Sequence, residues 1–291
     1  MIFWVLLTAS ILSNGLFLYN FFRIKEHDNN VKICRCLNKL ERLKNLLIHI
    51  QRHRGLTSAC LQGEQNARVT VQVLLVSIDK QWHELTIEYP DLLEDSLFEG
   101  IHSHWNSLKL RWEYQAMKNN TDQHNRLIHN LLFLIENHAV QHIELSLICR
   151  ATGLDVIWKE LLETVEVIGQ TRSIGVGMVA AKISSPIDRI QLKYLIEKLN
   201  RRLTELDSAF ESDKDIVAKS YGINMDWSKE LIVEAKNNAE VLSSFILNNL
   251  ASENDISVST EDFFNLASDA IEPLDTIFNR TTELLIKVHS D

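Results

Sequence analysis

From residue 29 onward apolar positions recur three and four apart, the spacing that lays one stripe along an α-helix. Leu40, Leu43, Leu47, Ile50, Thr57 and Leu61 share a seam, so residues 29–63 are expected to form one long helix. The same spacing predicts helices over 66–88, 93–118 and 122–150. Pro90 stops the second, and the polar run Asn119, Asn120, Thr121 and Asp122 is expected to form a capped loop. Gly153 marks a break. A fifth helix over 154–182 is followed by Ser185 as a cap and Pro186 at the first position of a sixth, over 186–211. The polar segment 211–225 reads as a linker. Asp226 opens a seventh helix reaching Leu250, and an eighth covers 260–288 with a kink at Glu272–Pro273.

Composition narrows the class. Nine glycines and three prolines in 291 residues are too few for a chain of strands and tight turns. The expectation is an all-α fold: two stacked antiparallel four-helix bundles following one N-terminal transmembrane helix. That anchor is read in residues 2–22, which carry no charge and, as a helix, match the hydrocarbon thickness. Residues 1–24 are thus an anchor and 25–291 a helical domain. Arg23, Lys25, Lys32, Arg35, Lys39 and Arg42 follow the apolar run, and the positive-inside rule puts the large domain in the cytoplasm, at the inner or plasma membrane.

Charge and motifs exclude more than they identify. A net charge of −9 disfavours nucleic acid as a partner, because phosphate contacts need clustered Lys and Arg. No P-loop, nucleophile elbow or His-Glu-x-x-His motif occurs, so no enzymatic activity is expected. His138 and His142 stand four apart with Glu144 off their face, and no metal or cofactor is expected. Cys34, Cys36, Cys60 and Cys149 do not make a disulfide framework.

Two arginines stand in the wrong place. Arg54 falls on the seam of the first helix between Ile50 and Thr57. Arg172 falls on the seam of the fifth, between Val165 and Val176. A guanidinium facing a core must find a partner. Gly55 adjoins Arg54, and Gly169, Gly175 and Gly177 surround Arg172, although a mid-helix glycine costs about 1 kcal/mol against alanine. Gln51 and Ser58 share the face of Arg54, and Gln170 lies near Arg172; Glu166 is off the face of Arg172. One reading is a site for a small oxyanion, since the planar guanidinium matches planar oxygen ligands. The other is a helical scaffold whose arginines are held in structural ion pairs.

The segment Gln51, Arg52, His53, Arg54, Gly55, Leu56, Thr57, Ser58 resembles the Q-x-E-R-G-x-S signature that opens the nitrate- and nitrite-sensing (NIT) domain. Gly169 to Gly175 is similar to that family's G-x-x-R-x-x-G motif, His124 to His138 to its middle helix, and Ser259 to Leu274 to its closing helix. The resemblance implies a receptor that binds nitrate or nitrite between helices through Arg54 and Arg172, with Arg52 supporting. It implies signalling by helix repacking to a downstream protein or by self-association, since no output module is recognised in the chain. His53 stands where the family has an acid, and Ser173 where it has a smaller residue.

Overall fold

The structure, a computed structural model, describes residues 2–144, 153–252 and 256–290; of 2–19, 142 and 144 only the backbone is described. Described residues are helical, with no strand among them. Helix α1 spans Ile2–Leu61, α2 Ala67–Glu88, α3 Ser96–Arg111, α4 Met117–Ala139 and α5 Leu162–Ala181. They are followed by α6 at Pro186–Tyr221, α7 at Ser228–Asn249, α8 at Thr260–Asp269 and α9 at Glu272–Ser290. A π-helical turn at Val156–Leu161 leads into α5.

Helix α1 is the spine. Its buried stripe begins at Ile33 and runs through Leu37, Leu40, Leu47 and Ile50, while Phe21, Phe22 and Ile24 are exposed. It packs against α2, α4, α5 and α9; α5 packs on α6 and α8, and α7 on α6, α8 and α9. A buried lysine, Lys44, pins α1 to α9: it donates to Asn279 Oδ1, pairs with Asp275 and lies over the Phe278 ring.

Several helix ends follow the sequence. Ser185 accepts from the Asp188 amide with Pro186 at the start of α6, and Ser259 accepts from the Asp262 amide ahead of α8. Three expectations need correction. The run Asn119–Asp122 is not a loop but part of α4, because Asn120 faces inward and donates to Thr57 Oγ1 at 3.0 Å. Most of the supposed linker 211–225 is helical: Val217 and Tyr221 continue the buried stripe of Phe210, and α6 ends where Gly222 takes φ +70°. The expected kinked eighth helix is two helices, since Pro273 lacks an amide hydrogen and crowds the carbonyl four residues back, so α8 stops at Asp269.

The anchor expectation falls mainly on residues whose side chains lie outside the described set; their backbone is helical and continuous with α1. No helix of the described residues is long and apolar enough to cross a membrane. The expected end of the fourth helix over 145–150, with Cys149, lies outside the described residues, as does the side chain of His142.

Two glycines of α5 give predictions of opposite sign. A Cβ on Gly175 would stand 2.2 Å from ring carbons of the fully buried Phe263. Gly175→Ala is therefore expected to cost about 1–3 kcal/mol through overpacking. A Cβ on Gly177 would meet Met117 Cε, the free end of a flexible side chain, at 2.5 Å, and Gln62 Cγ at an ordinary 3.9 Å. There the methionine swings aside and alanine returns up to about 1 kcal/mol of helix propensity. Thermal melts of the two variants should shift in opposite directions, or Gly177→Ala not at all.

Candidate functional site

Where α1, α4 and α5 meet, the apolar stripe of α1 gives way to polar residues. Gln51, His53, Arg54, Thr57 and Ser58 are all buried; Asn120, His124 and Ser173 meet them through Thr57, His53 and Ser58, and Arg172 is buried near Arg54. Arg54 has no exposed surface. Its Nη1 donates to Glu166 Oε1 at 2.5 Å and to Asn125 Oδ1 at 2.7 Å, and its Nη2 to Glu166 Oε2 at 3.1 Å. Gln51 Nε2 and Gln170 Nε2 each donate to the same carboxylate at 2.9 Å.

Glycine makes this arrangement possible. A Cβ on Gly169 would lie 2.8 Å from Arg54 Nη2. The Arg54 guanidinium thus crosses α5 over Gly169 and reaches Glu166 one turn back. Proximity along α5 alone does not reveal the pairing, because Glu166 pairs with Arg54 rather than with Arg172. Glu166, read in the sequence only as lying off the face of Arg172, is thus the acid that holds Arg54. Ser58 bonds to its own helix, donating to the Arg54 carbonyl, and its Oγ lies 3.0 Å from Ser173 Oγ.

Arg172 is different. It is buried; Nη1 donates to Ser268 Oγ at 3.0 Å, and Cζ sits 4.5 Å from the Phe264 ring centroid. Among the described residues no carboxylate lies within ion-pair distance of it. Burial pushes its pKa down to about 9, helped by the charges of Arg54 and Arg52 and opposed by Glu166. It remains charged at neutral pH and carries the cost. Arg52 is exposed and lies over the other reach of the same ring, 5.8 Å from its centroid.

Two buried guanidinium donors remain open: Nε of Arg54 and Nε of Arg172 have no hydrogen-bond partner among the described residues. The buried cluster thus holds two arginine charges against one carboxylate and has two unused N–H groups. Cavities flank it. One of about 300 Å³ reaches Asn125, Glu166 and Gln170 and is also lined by Lys198 and Arg202. Another, about 490 Å³, reaches Arg52, Val176 and Phe264. Phe264 and Ser268, both on α8, are site residues that sequence reasoning missed, as are Asn125 and the pairing of Glu166 with Arg54.

A histidine pair backs Arg54. His53 Nδ1 lies 2.8 Å from His124 Nε2, and His124 Nδ1 lies 2.8 Å from the Asn120 carbonyl. That carbonyl only accepts, so His124 donates through Nδ1 and accepts from His53. Burial holds both imidazoles neutral: His124 is pushed down to about 3, Arg54 adding to the effect, and His53 well below its usual value, His124 adding to it. The unfolded chain binds these protons near pH 6.5 and the folded one does not, so stability falls as pH drops from about 6.5 toward 3. His124 alone is expected to cost about 1–2 kcal/mol between pH 6.5 and 5, and His53 acts in the same direction. Denaturant midpoints should show that slope, and His53→Gln with His124→Gln should flatten it.

Elsewhere the chemistry is sparse. No group of three metal-ligating side chains gathers among the described residues. Burial pushes the Cys36 thiol up to about 12, and it donates to the His138 carbonyl, so it is no nucleophile.

No family model and no curated protein matches the chain. Among solved structures, that of the NasR transcription antiterminator is similar, with a TM-score of 0.66 and 14% identity, over 95% of this chain and 74% of that one. At that identity the likeness shows the fold.

Proposed function

We propose that the chain is a membrane-anchored receptor for nitrate or nitrite, in which the anion sits between Arg54 of α1 and Arg172 of α5. The observation that carries this reading is Arg172: a buried guanidinium with no carboxylate partner among the described residues and an open Nε–H. A planar oxyanion supplies the missing charge and accepts from both open N–H groups. The resemblance of the segments around Arg54 and Arg172 to the nitrate- and nitrite-sensing motifs favours nitrate or nitrite. The fold shared with a transcription antiterminator, a regulatory protein, favours signalling over catalysis.

Anion binding offsets repulsion between the two arginines and so favours one packing of α1 against α5. Only a difference in affinity between two packings moves such an equilibrium, and about 1–3 kcal/mol is typical. Helix α1 runs unbroken from Ile2, so the site and the apolar segment share one rigid element. A shift of α1 is the signal, read by a partner protein or a second copy, in a domain arranged as two stacked bundles on the cytoplasmic side. The scaffold reading draws on the Arg54–Glu166 pair, which is satisfied without a ligand; it leaves Arg172 unexplained.

The test is the melting of residues 1–291, in mild detergent at constant ionic strength, with nitrate, nitrite, chloride, formate and sulfate. A ligand at about 100 times its Kd adds roughly 2.7 kcal/mol, on the order of 5–10 °C for a domain of this size. The expected result is a shift with nitrate or nitrite. Identical melting in every anion makes the chain a scaffold.

A further inference from the structure

The carboxylate of Glu166 occupies a larger role than holding Arg54 in place. It takes both arms of the Arg54 fork and the amides of Gln51 and Gln170, and it is nearly inaccessible to water. Arg54 and Arg172 contribute two buried positive charges and Glu166 one negative, so the cluster lacks a single negative charge. His53 and His124 add nothing while neutral. Arg52 is exposed, so its charge, although felt at Arg172, is compensated by solvent and salt rather than by the cluster. Arg202 is committed to Glu160 and Glu163.

We propose that Glu166 selects the charge of the occupant: by cancelling one of the two arginine charges it restricts the site to singly charged oxyanions and rejects doubly charged ones. The proposal rests on the reading that Arg54 and Arg172 hold an anion. The physical reason is the cost of an uncompensated charge in a buried site. A monovalent oxyanion leaves the cluster neutral, whereas sulfate leaves it negative beside a fixed carboxylate. Rejection comes from a repulsive element built into the site rather than from shape. Two unit charges roughly 10 Å apart at an effective dielectric of about 20 repel enough for roughly a tenfold change in affinity.

The experiment compares nitrate and sulfate on the full chain, wild type and Glu166→Gln, with affinities taken from the anion dependence of melting at constant ionic strength. Wild type is expected to respond to nitrate and not to sulfate. Glu166→Gln keeps the side-chain shape and removes the charge, and sulfate affinity relative to nitrate should rise roughly tenfold or more. An unchanged ratio in a folded Glu166→Gln overturns charge selection while leaving the receptor reading intact. A wild type that answers to no anion overturns both. Should Glu166→Gln fail to fold, the wild type alone decides with two tetrahedral anions, perchlorate and sulfate, each compared with an Arg172→Met control. Perchlorate should bind more tightly; tighter sulfate contradicts the proposal.

Discussion

Glu166→Ala is expected to destabilise the chain by about 3–5 kcal/mol, the usual cost of removing one partner of a buried ion pair. The reason is what the substitution leaves behind. Arg54 stays fully buried with its fork facing a void, and Gln51 and Gln170 lose their common acceptor. Against a total stability of about 5–15 kcal/mol this is a large fraction. A second change should recover most of it: in Arg54→Met with Glu166→Ala no charge is stranded, and apolar replacement of buried pairs is often neutral. Urea denaturation of the two variants checks both halves. A loss under about 1 kcal/mol for Glu166→Ala would mean that water reaches the pair.

Arg172→Met is expected to do the opposite. In anion-free buffer it should stabilise the chain by about 1–3 kcal/mol, because a buried charge without a carboxylate is replaced by a side chain that packs against Phe264. The depressed pKa, about 9, expresses the same cost: burial disfavours the charged form, which is still the form present at pH 7. The variant should also lose its melting response to nitrate. Stability and function thus separate at this position, as they do where a binding residue is kept at the expense of packing. Loss of stability in Arg172→Met together with a retained nitrate response would make the residue structural.

Much of the fold was legible because helix periodicity is local. The seam running from Leu40 to Leu61, the Ser185–Pro186 start and the helix start at Thr260 all belong to single segments. The errors fell where exposed helix surface is polar. Asn119–Asp122 and 211–225 look like loops by composition, yet Asn120 and Val217 face inward from continuous helices. The site was half legible. Arg54 and Arg172 stand out because charge interrupts an apolar seam, and Lys44, between Leu40 and Leu47, would have failed the same test. Glu166 escaped because it was compared with Arg172 on its own helix; its partner Arg54 is 112 residues away and arrives over Gly169. Ser268 stands 96 residues from Arg172, and no local pattern announces that contact.

The central claim is that one anion binds between Arg54 and Arg172. Isothermal titration of nitrate into the full chain, in wild type and Arg172→Met, tests it most directly. The account predicts a saturable heat with one site per chain in the wild type and none in Arg172→Met, whose Arg54–Glu166 pair is untouched. Equal affinity in the two proteins, or no saturable heat in either with nitrate or nitrite, would contradict it.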